Sequence, residues 1–502
     1  MKKKLSVFAA GVLAFAVAGN AAAAAEDKRY IVTFKQGKGE SVKSFMKKRG
    51  GRQAVEIRRQ NAMAAHMSAE TLKEMRSNPN VAFIEEDVKR YPMSQETPYG
   101  ITMVQADQLG DSQAGNRTVC IIDSGYDLVH EDLSGNAVTG TSDPSGAGNW
   151  YEDQSGHGTH VAGTIAAMNN DAGVVGVMPS SNINLHIVKV FDGDGWAYSS
   201  SLMAAAEVCA DNGANVINMS LGGDSPNVLE RRTFNSLNRE GILSIAAAGN
   251  DGNTAHSYPA SYSSVVSVGA VDSDKAIWSS SQQTNQVELS APGVQVLSSV
   301  PTDTGRISYL TVDSVDIESA PISGTPAGAI TGSMEDCGTA ESACTSAAGK
   351  ICLIARGNIS FAEKVLNCES GGGIGAIIYN NEEGLLSSAT LSDTVTTIPS
   401  VGISDTDGAT LLTQLNASVD LENEATSYEY YNGTSMATPH VAGVAALVWS
   451  HFPNCSNTEI RNALTATAED LGDAGRDNAY GYGLVQAKAA YDYLDTYGCS
   501  GS

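Results

Sequence analysis

The feature that most constrains the fold of this 502-residue chain is an alternation of apolar runs with helix-like segments between residues 119 and 271. The apolar runs have the length of buried strands and cover residues 119–122, 184–190, 216–220, 242–247 and 265–271. Helical patterns between them cover residues 157–168, 200–212 and 228–239. Such alternation is typical of βαβ units, so we predict an α/β fold with a parallel sheet whose crevice lies where strands end and helices begin.

Three short motifs carry candidate catalytic chemistry. Asp123 ends the first apolar run, His157 stands in Gly-His-Gly-Thr-His, and Ser435 stands in Gly-Thr-Ser-Met-Ala-Thr-Pro-His. A serine hydroxyl is a poor nucleophile at neutral pH, so an imidazole must take its proton and a carboxylate must orient that imidazole. These residues supply the three groups of a catalytic triad. The pair His157 and His160 lacks the His-Glu-x-x-His pattern of zinc peptidases, which argues against a catalytic metal.

The order Asp, His, Ser and the residues around each motif resemble the subtilisin-like serine peptidases (subtilases), over about residues 94–301 and 428–497. The resemblance implies a three-layer subtilisin-like catalytic domain and a serine endopeptidase that acts through an acyl-enzyme intermediate. It also implies that the side-chain amide of Asn250, in Ala-Ala-Ala-Gly-Asn, and the backbone N–H of Ser435 stabilise the oxyanion. Two alternatives remain open: a processing protease of narrow specificity, and an inactive scaffold that binds a partner.

The resemblance also implies how a peptide substrate is held. Two segments would bind the substrate backbone as added strands, and their residues are Ser220, Leu221, Gly222 and Gly223 in one and Gly195, Trp196 and Ala197 in the other. The pocket for the side chain before the scissile bond would be lined by small groups, namely Ala247, Ala248, Gly249 and Ser257. Backbone recognition tolerates many sequences, so we predict broad specificity towards proteins and peptides. Trp196 is expected to narrow or reshape the upstream subsites.

The N-terminus predicts export. Residues 1–25 combine a basic start, an apolar stretch from residue 5 to 18 and a small-residue run that ends at Ala25, which together indicate a secretory signal peptide. This apolar stretch is too short for a typical membrane span, and no other run approaches 18 apolar residues. We therefore expect a secreted, extracellular protein without a membrane span.

Charge separates the following segment from the body of the chain. Residues 26–93 hold 15 Lys/Arg and 9 Asp/Glu, whereas the residues after Met93 hold 13 Lys/Arg and 47 Asp/Glu. Residues 26–93 show a β-α-β-β-α-β-like order, with strands at 30–34, 54–58 and 81–88 and helices at 41–49 and 68–77. This order resembles the ferredoxin-like α+β propeptide of subtilases and implies an intramolecular inhibitor and chaperone. Opposite charge would favour its docking, and we place autocleavage after Met93.

A calcium site is also implied by the resemblance. The family's site uses a glutamine near the mature N-terminus, an aspartate soon after the catalytic one and a loop after the histidine helix. Six oxygens would come from the side chains of Gln95, Asp132 and Asn170 and from the carbonyls of Met168, Ala172 and Val174. Six is within the number that Ca²⁺ binds.

The catalytic domain is predicted to comprise residues 94–302 and 426–502, interrupted by an insert at 303–425. The insert resembles a β-rich protease-associated (PA) domain in the segments 349–357, 361–364, 373–380 and 398–401. It could form a wall over the leaving-group side of the cleft, recruit protein substrates, or add a stable module. These three roles remain open at the level of sequence.

Eight cysteines in an exported chain favour disulfides over metal sites. Within the insert, the pairs Cys337–Cys344 and Cys352–Cys368 are preferred among three possible pairings. Cys455 and Cys499 could tie down the C-terminus, while Cys120 and Cys209 would be either a core pair or two buried thiols. The acidic body argues against nucleic acid as a partner, and we expect a monomer.

Overall fold

The structure is a computed structural model that describes residues 28–57, 60–86, 95–142, 147–191, 195, 197–387, 389–392 and 394–501. The predicted signal peptide, the predicted cleavage position at Met93 and the side chain of Trp196 lie outside the described residues. By its internal contacts the chain divides into two units, Met1–Pro92 and Met93–Ser502.

The N-terminal unit has the β-α-β-β-α-β order that its sequence predicts. Its elements are β1 (Lys28–Phe34), α1 (Gly39–Lys47), β2 (Arg52–Ile57), β3 (Ala62–Met67), α2 (Ala69–Arg76) and β4 (Val81–Glu86). The strands form an antiparallel sheet in the ferredoxin-like order β2-β3-β1-β4. Propensity does not predict β3, because Ala-Met-Ala-Ala-His-Met has no β-branched residue, yet Met63 and Met67 lie in the core of the unit.

The second unit begins with the elements of a parallel sheet and its helices: α3 (Tyr99–Met103), β5 (Thr118–Asp123), β6 (Ala137–Thr141), α4 (His157–Ala166), β7 (Asn184–Lys189), α5 (Ser199–Asp211), β8 (Val216–Met219), α6 (Val228–Arg239), β9 (Leu243–Ala247), β10 (Val265–Val271), β11 (Val287–Pro292) and β12 (Val296–Ser299). The inserted segment contains β13 (Gly305–Val312), β14 (Val315–Ile317), β15 (Ala320–Pro321), β16 (Gly328–Gly332), β17 (Met334–Asp336), β18 (Ile351–Ala355), α7 (Phe361–Ser370), β19 (Gly375–Tyr379), β20 (Ser400–Ile403), α8 (Asp405–Leu411) and β21 (Val419–Thr426). The chain ends with β22 (Tyr428–Tyr431), α9 (Thr434–His451), α10 (Asn457–Ala466) and α11 (Ala487–Tyr497).

A seven-stranded sheet in the order β11-β10-β9-β8-β5-β7-β6 forms the middle layer of this unit, and its strands pair in parallel. One face packs against α4 and α9, and the other face packs against α5 and α6. The predicted α/β class and its three layers are thus confirmed. The five predicted strands occur within two residues of their predicted bounds, whereas the edge strand β6 carries only a weak apolar signal and is half-exposed.

Helix α9 is buried along nearly its whole length and contacts β8, β9, β10 and β11. Its apolar surface is therefore covered by protein on all sides. In the part of the chain that the structure describes, no helix combines the length and the apolar content that a membrane crossing requires.

The insert leaves and re-enters the catalytic layer through a two-stranded antiparallel ladder of β12 and β22. It contains a four-stranded antiparallel sheet in the order β14-β13-β21-β16 and a five-stranded mixed sheet in the order β15-β20-β19-β18-β17. Residues from both sheets share one apolar cluster. Because the two ends of the insert are adjacent strands, a segment of this size fits without displacing the parallel sheet.

All eight cysteines form disulfides in the structure. The pairs Cys337–Cys344 and Cys352–Cys368 confirm the preferred pairing in the insert, and Cys455–Cys499 links the segment after α9 to the residues that follow α11. The open alternative for Cys120 and Cys209 is decided in favour of a core pair that joins β5 to α5.

Candidate active site

Asp123 and His157 are brought together by the end of β5 and the start of α4. The Oδ1 atom of the fully buried Asp123 lies 2.8 Å from Nδ1 of His157, whose side chain is 27% exposed. Burial acts to lower the pKa of His157, but the charge and hydrogen bond of Asp123 outweigh it and raise that pKa above its usual value. This is the arrangement in which a carboxylate orients an imidazole and stabilises its protonated form.

Ser435 is the second residue of α9 and lines the same cavity of about 310 Å³ as His157 and Asn250. Its hydroxyl donates to the carbonyl of Ser220 at 3.1 Å, and the hydroxyl of Ser220 donates to the carbonyl of Ser435 at 2.7 Å. The hydroxyl of Ser435 is thus directed at a predicted substrate-binding residue in this structure. It must rotate towards His157 before it can transfer a proton, and such contacts commonly tighten only when substrate binds.

Asn250 follows β9 and is held by the residue before Ser435. Its Oδ1 accepts hydrogen bonds from the backbone N–H of Thr434 at 2.9 Å and from the Thr434 hydroxyl at 2.8 Å. A Cβ atom at Gly433 would lie 3.6 Å from Asn250 Nδ2 and 3.5 Å from Ser435 N. The two predicted oxyanion donors therefore border one small space, and the absence of a side chain at Gly433 keeps that space open.

The predicted substrate segments border a second cavity, of about 420 Å³. It is lined by Gly195, Ala197, His157 and the four residues from Ser220 to Gly223. Gly223 and Tyr258 form an antiparallel bridge, so Ser257 lies beside this segment. Gly249, which follows Ala248 at the end of β9, donates to Thr434 Oγ1 at 3.2 Å. Gly249 thus contacts the residue before Ser435 and Ser257 lies beside the segment from Ser220 to Gly223, while Trp196 is outside the described residues.

Asp153 is a site residue that motif reasoning missed. Its carboxylate accepts five hydrogen bonds, from Ser124 Oγ, Ser155 N, Gly156 N, Thr159 N and Thr159 Oγ1, at 2.7–3.2 Å. It therefore satisfies free donors at the N-terminus of α4, whose first residue is His157. An aspartate four residues before a predicted helix start is the signal that could have identified it.

Lys189 is a second residue that the sequence did not identify. It is fully buried at the end of β7, in register with Asp123 on β5. Its ammonium donates to the carbonyls of Ser124 and Glu152 and to Gln154 Oε1. The lysine thereby links the strand that carries Asp123 to the loop that leads to His157.

His160 is structural rather than catalytic in this arrangement. Its Nε2 donates to the carbonyls of Val296 and Glu429, and its ring stacks on Tyr431 with centroids 4.4 Å apart. Burial and the nearby His157 lower the pKa of His160 to about 3, so the ring is neutral. It holds α4 against the β12–β22 ladder.

The groups predicted to bind calcium also come together. Gln95 Nε2 lies 2.5 Å from the carbonyl of Met168, 3.1 Å from that of Val174 and 3.4 Å from Asn170 Oδ1. The buried Asp132 accepts hydrogen bonds from Asn170 Nδ2 and from Val174 N, and Ala172 lies in the same loop. Several oxygens thus converge on the Gln95 amide, which is the hard-oxygen chemistry that suits Ca²⁺ once the amide oxygen turns inward.

The insert contributes one wall of the cavity beside Ser435. Ala320, Pro321 and Ser323 from the region of β15, together with Ser387, Ala389 and Thr390, line the cavity that His157, Asn250 and Ser435 also line. Asn432, just before the serine motif, donates to the carbonyl and hydroxyl of Ser387 at 3.2 and 3.1 Å. The insert is therefore anchored to the active-site loop.

Comparison with known proteins agrees with this geometry. The model of the subtilase family matches residues 115–333 and 329–483. Subtilisin amylosacchariticus of Bacillus subtilis subsp. amylosacchariticus and subtilisin J of Geobacillus stearothermophilus are each 31% identical over 474 residues, which cover 92% of this chain and 90% of theirs. The crystal structure of the psychrophilic subtilisin-like protease Apa1 from the Antarctic psychrotroph Pseudoalteromonas sp. AS-11 is 46% identical and has a TM-score of 0.64, covering 82% of this chain and 100% of that one. With the family match spanning most of the second unit and the relatives nearly the whole chain, this protein belongs to the subtilase family and is a serine endopeptidase.

Proposed function

We propose that this protein is a secreted, self-maturing endopeptidase that hydrolyses peptide bonds in proteins with broad specificity. The observation that carries the proposal is the 2.8 Å contact between Asp123 and His157, on a cleft that also contains Ser435 and Asn250. Intact catalytic groups argue against an inactive binding scaffold.

The residues divide the reaction as follows. His157 takes the hydroxyl proton of Ser435 while Oγ bonds to the substrate carbonyl carbon, and Asp123 stabilises the resulting imidazolium. Asn250 Nδ2 and Ser435 N donate to the oxyanion. The C–N bond then breaks as His157 returns the proton to the leaving amine, and water hydrolyses the acyl-enzyme by the same steps.

Broad specificity follows from how the substrate is held. The segment from Ser220 to Gly223 offers backbone groups, and Ala248, Gly249 and Ser257 are small. Binding through the substrate backbone does not select among most substrate side chains. The small pocket residues leave room for Leu, Phe, Tyr or Met before the scissile bond.

Self-maturation is supported by the N-terminal unit. This unit contains a ferredoxin-like sheet, and residues 26–93 are basic in composition, whereas the residues after Met93 are strongly acidic. We propose that residues 26–93 act as an inhibitory propeptide, that cleavage after Met93 releases the enzyme, and that the mature protein is a monomer.

A calcium ion would complete the cluster around Gln95. Gln95, Asp132 and Asn170 would hold it with side-chain oxygens, and Met168, Ala172 and Val174 with carbonyls. The bound ion supplies positive charge to the buried Asp132 carboxylate and ties residue 95 to the loop after α4. We assign it a structural role.

We assign the insert the role of a wall on the leaving-group side. Its residues line the cavity that contains Ser435, and Asn432 joins it to the serine loop. This contact favours the wall over a detached recruitment module among the three roles that the sequence left open.

The test is to express the full chain beside a Ser435→Ala variant and to measure intact mass and casein hydrolysis. We expect the wild type to lose residues up to Met93 and to digest casein, while the variant stays unprocessed and inactive. Equal processing and hydrolysis in both would overturn the assignment of Ser435.

A further inference from the structure

A buried carboxylate lines the 420 Å³ cavity, beside the two segments that are predicted to bind the substrate backbone. It belongs to Glu230, in the first turn of α6, which is 3% exposed. Carboxylates are rarely buried to this degree without a partner that accounts for them. Glu230 therefore calls for an explanation beyond helix formation.

A glutamate at the third position of a helix commonly accepts a hydrogen bond from the backbone N–H of the capping residue. In α6 another side chain accepts that hydrogen bond. Asn227 caps α6 by accepting from Leu229 N and Glu230 N, and in a capping box Glu230 would in turn accept from Asn227 N. That N–H instead donates to the hydroxyl of Tyr262 at 2.8 Å. The Glu230 carboxylate is thus free of the capping task.

Tyr262 satisfies Glu230 only in part. Its hydroxyl lies 2.7 Å from Glu230 Oε2 and 3.1 Å from the carbonyl of Asn227, but one phenol has a single proton for these two acceptors. Burial raises the pKa of Glu230, and the hydrogen bond from Tyr262 opposes that rise. A cationic partner would compensate the buried charge, yet no lysine or arginine is among the described residues that line this cavity.

The remaining walls fit a long side chain that ends in a cation. Phe191, Tyr198 and Tyr258 supply aromatic surface, and Leu202 supplies apolar surface. Lysine and arginine place their aliphatic stems against such surfaces, and their charged ends interact favourably with aromatic faces.

The sequence around the proposed cleavage position contains a cation at a suitable place. The residues before it are Lys89, Arg90, Tyr91, Pro92 and Met93, so Arg90 is the fourth residue before the scissile bond. In an extended substrate the second and fourth residues point to the same face, and the fifth points to the opposite face. Pro92 cannot pair with a carboxylate, whereas Arg90 can.

We infer that Glu230 is a specificity-determining residue that selects an arginine or lysine side chain four residues before the scissile bond. This inference rests on the proposed endopeptidase function. It makes the enzyme broadly tolerant at most substrate positions and selective for a cation at one of them.

The test uses peptides spanning residues 86–97, cut by the mature enzyme, with Arg90 kept or replaced by norleucine or glutamate. We expect kcat/KM to be about tenfold higher with Arg90 than with norleucine and lower still with glutamate, because a charge-assisted hydrogen bond to a buried carboxylate is lost. Replacing Lys89 by norleucine is the matched substrate control and should change kcat/KM little.

The enzyme variant Glu230→Gln keeps the size of the side chain and an oxygen for Tyr262. We expect its ratio of kcat/KM for Arg90 over norleucine to fall close to one, while Glu240→Gln, at the exposed position just after α6, keeps the wild-type ratio. A wild-type ratio near one, or an unchanged ratio in Glu230→Gln, overturns the inference even though the peptides are cut. Failure of the proposed function looks different, because then no peptide is cut, or wild type and Ser435→Ala cut equally.

Discussion

The carboxylate of Asp153 accepts a 2.8 Å hydrogen bond from the hydroxyl of Ser124, the residue that follows Asp123. The same hydroxyl accepts from Gly158 N at 2.9 Å, next to His157. A Cβ atom at Gly158 would lie 2.3 Å from the carbonyl oxygen of Gly125, so only glycine permits this close approach of α4 to the end of β5. Asp153 and Ser124 together position the imidazole relative to Asp123.

Substitution of Asp153 should therefore impair turnover more than binding. We expect Asp153→Ala to lower kcat by on the order of 10²-fold, because small misplacements of a catalytic group have effects of that size, with a smaller change in KM. The free donors left at the start of α4 should also lower the free energy of unfolding by about 1–3 kcal/mol. Asp153→Asn keeps an acceptor and should recover part of the loss in kcat and part of the loss in the free energy of unfolding. Steady-state kinetics would measure the first and thermal unfolding the second.

The pH profile distinguishes positioning from a merely structural role of Asp153. His157 must be neutral to accept a proton, so activity is lost as pH falls through its raised pKa. The charge of Asp153 contributes to that rise, and Asp153→Asn should move the acidic limb of kcat/KM to lower pH. An unchanged limb would show that Asp153 acts on stability alone.

Loss of the Asp123 carboxylate should affect catalysis far more than folding. We expect Asp123→Asn to lower kcat by on the order of 10³- to 10⁴-fold, because an amide stabilises the wrong tautomer of His157 and leaves its positive charge uncompensated. Asp274→Asn, at an exposed position, is the control and should leave kcat unchanged. Near-normal turnover in Asp123→Asn would argue that another group orients His157.

The two roles of the Asn250 side chain can be separated. Asn250→Ala removes the oxyanion donor and the acceptor for Thr434, so kcat should fall by about 10²- to 10³-fold and stability should also fall. Asn250→Asp retains the acceptor but not the donor. We expect kcat to fall in both variants, while the loss of thermal stability should be smaller in Asn250→Asp.

Calcium removal should destabilise the mature enzyme. EDTA is expected to lower the melting temperature, because a ligand that binds only the folded state stabilises it, and added Ca²⁺ should restore it. Asp132→Asn should abolish most of this response. Asp171→Asn should retain it, because Asp171 lies in the loop after α4 but outside the proposed ligand set. A full EDTA response in Asp132→Asn would place the ion elsewhere.

Two buried histidines predict sensitivity to acid. Burial lowers the pKa of His160 to about 3 and that of His440 to about 4, so both are neutral when folded. Unfolded histidine gains a proton below about pH 6.5, so stability should decline from that pH down to the folded pKa values. Thermal unfolding of Ser435→Ala, which avoids self-digestion, should show this decline, and His440→Leu should reduce it. A constant melting temperature between pH 7 and 5 would contradict the prediction.

Local sequence was sufficient to predict four side chains that the fold brings together in the candidate active site, and most of the central sheet. Asp123, His157, Asn250 and Ser435 stand in short motifs, and the apolar strands of the sheet have a clear pattern because they are buried on both faces. Strands β3 and β6 lack that pattern, since one is built from alanine and methionine and the other is a half-exposed edge.

The tertiary structure decided which distant side chains meet. Nothing in the spacing of Lys189 and Glu230 indicates that the first supports the strand of Asp123 and the second lines the 420 Å³ cavity. The position of Asp153 before α4 is compatible with a helix cap, but only the tertiary structure shows that its carboxylate also accepts from Ser124 beside Asp123. Nor does the sequence show that the insert faces Ser435. Residue type and periodicity record what a segment can do and which face it buries, whereas the order of strands in the sheet and the packing of helices on it determine which segments become neighbours.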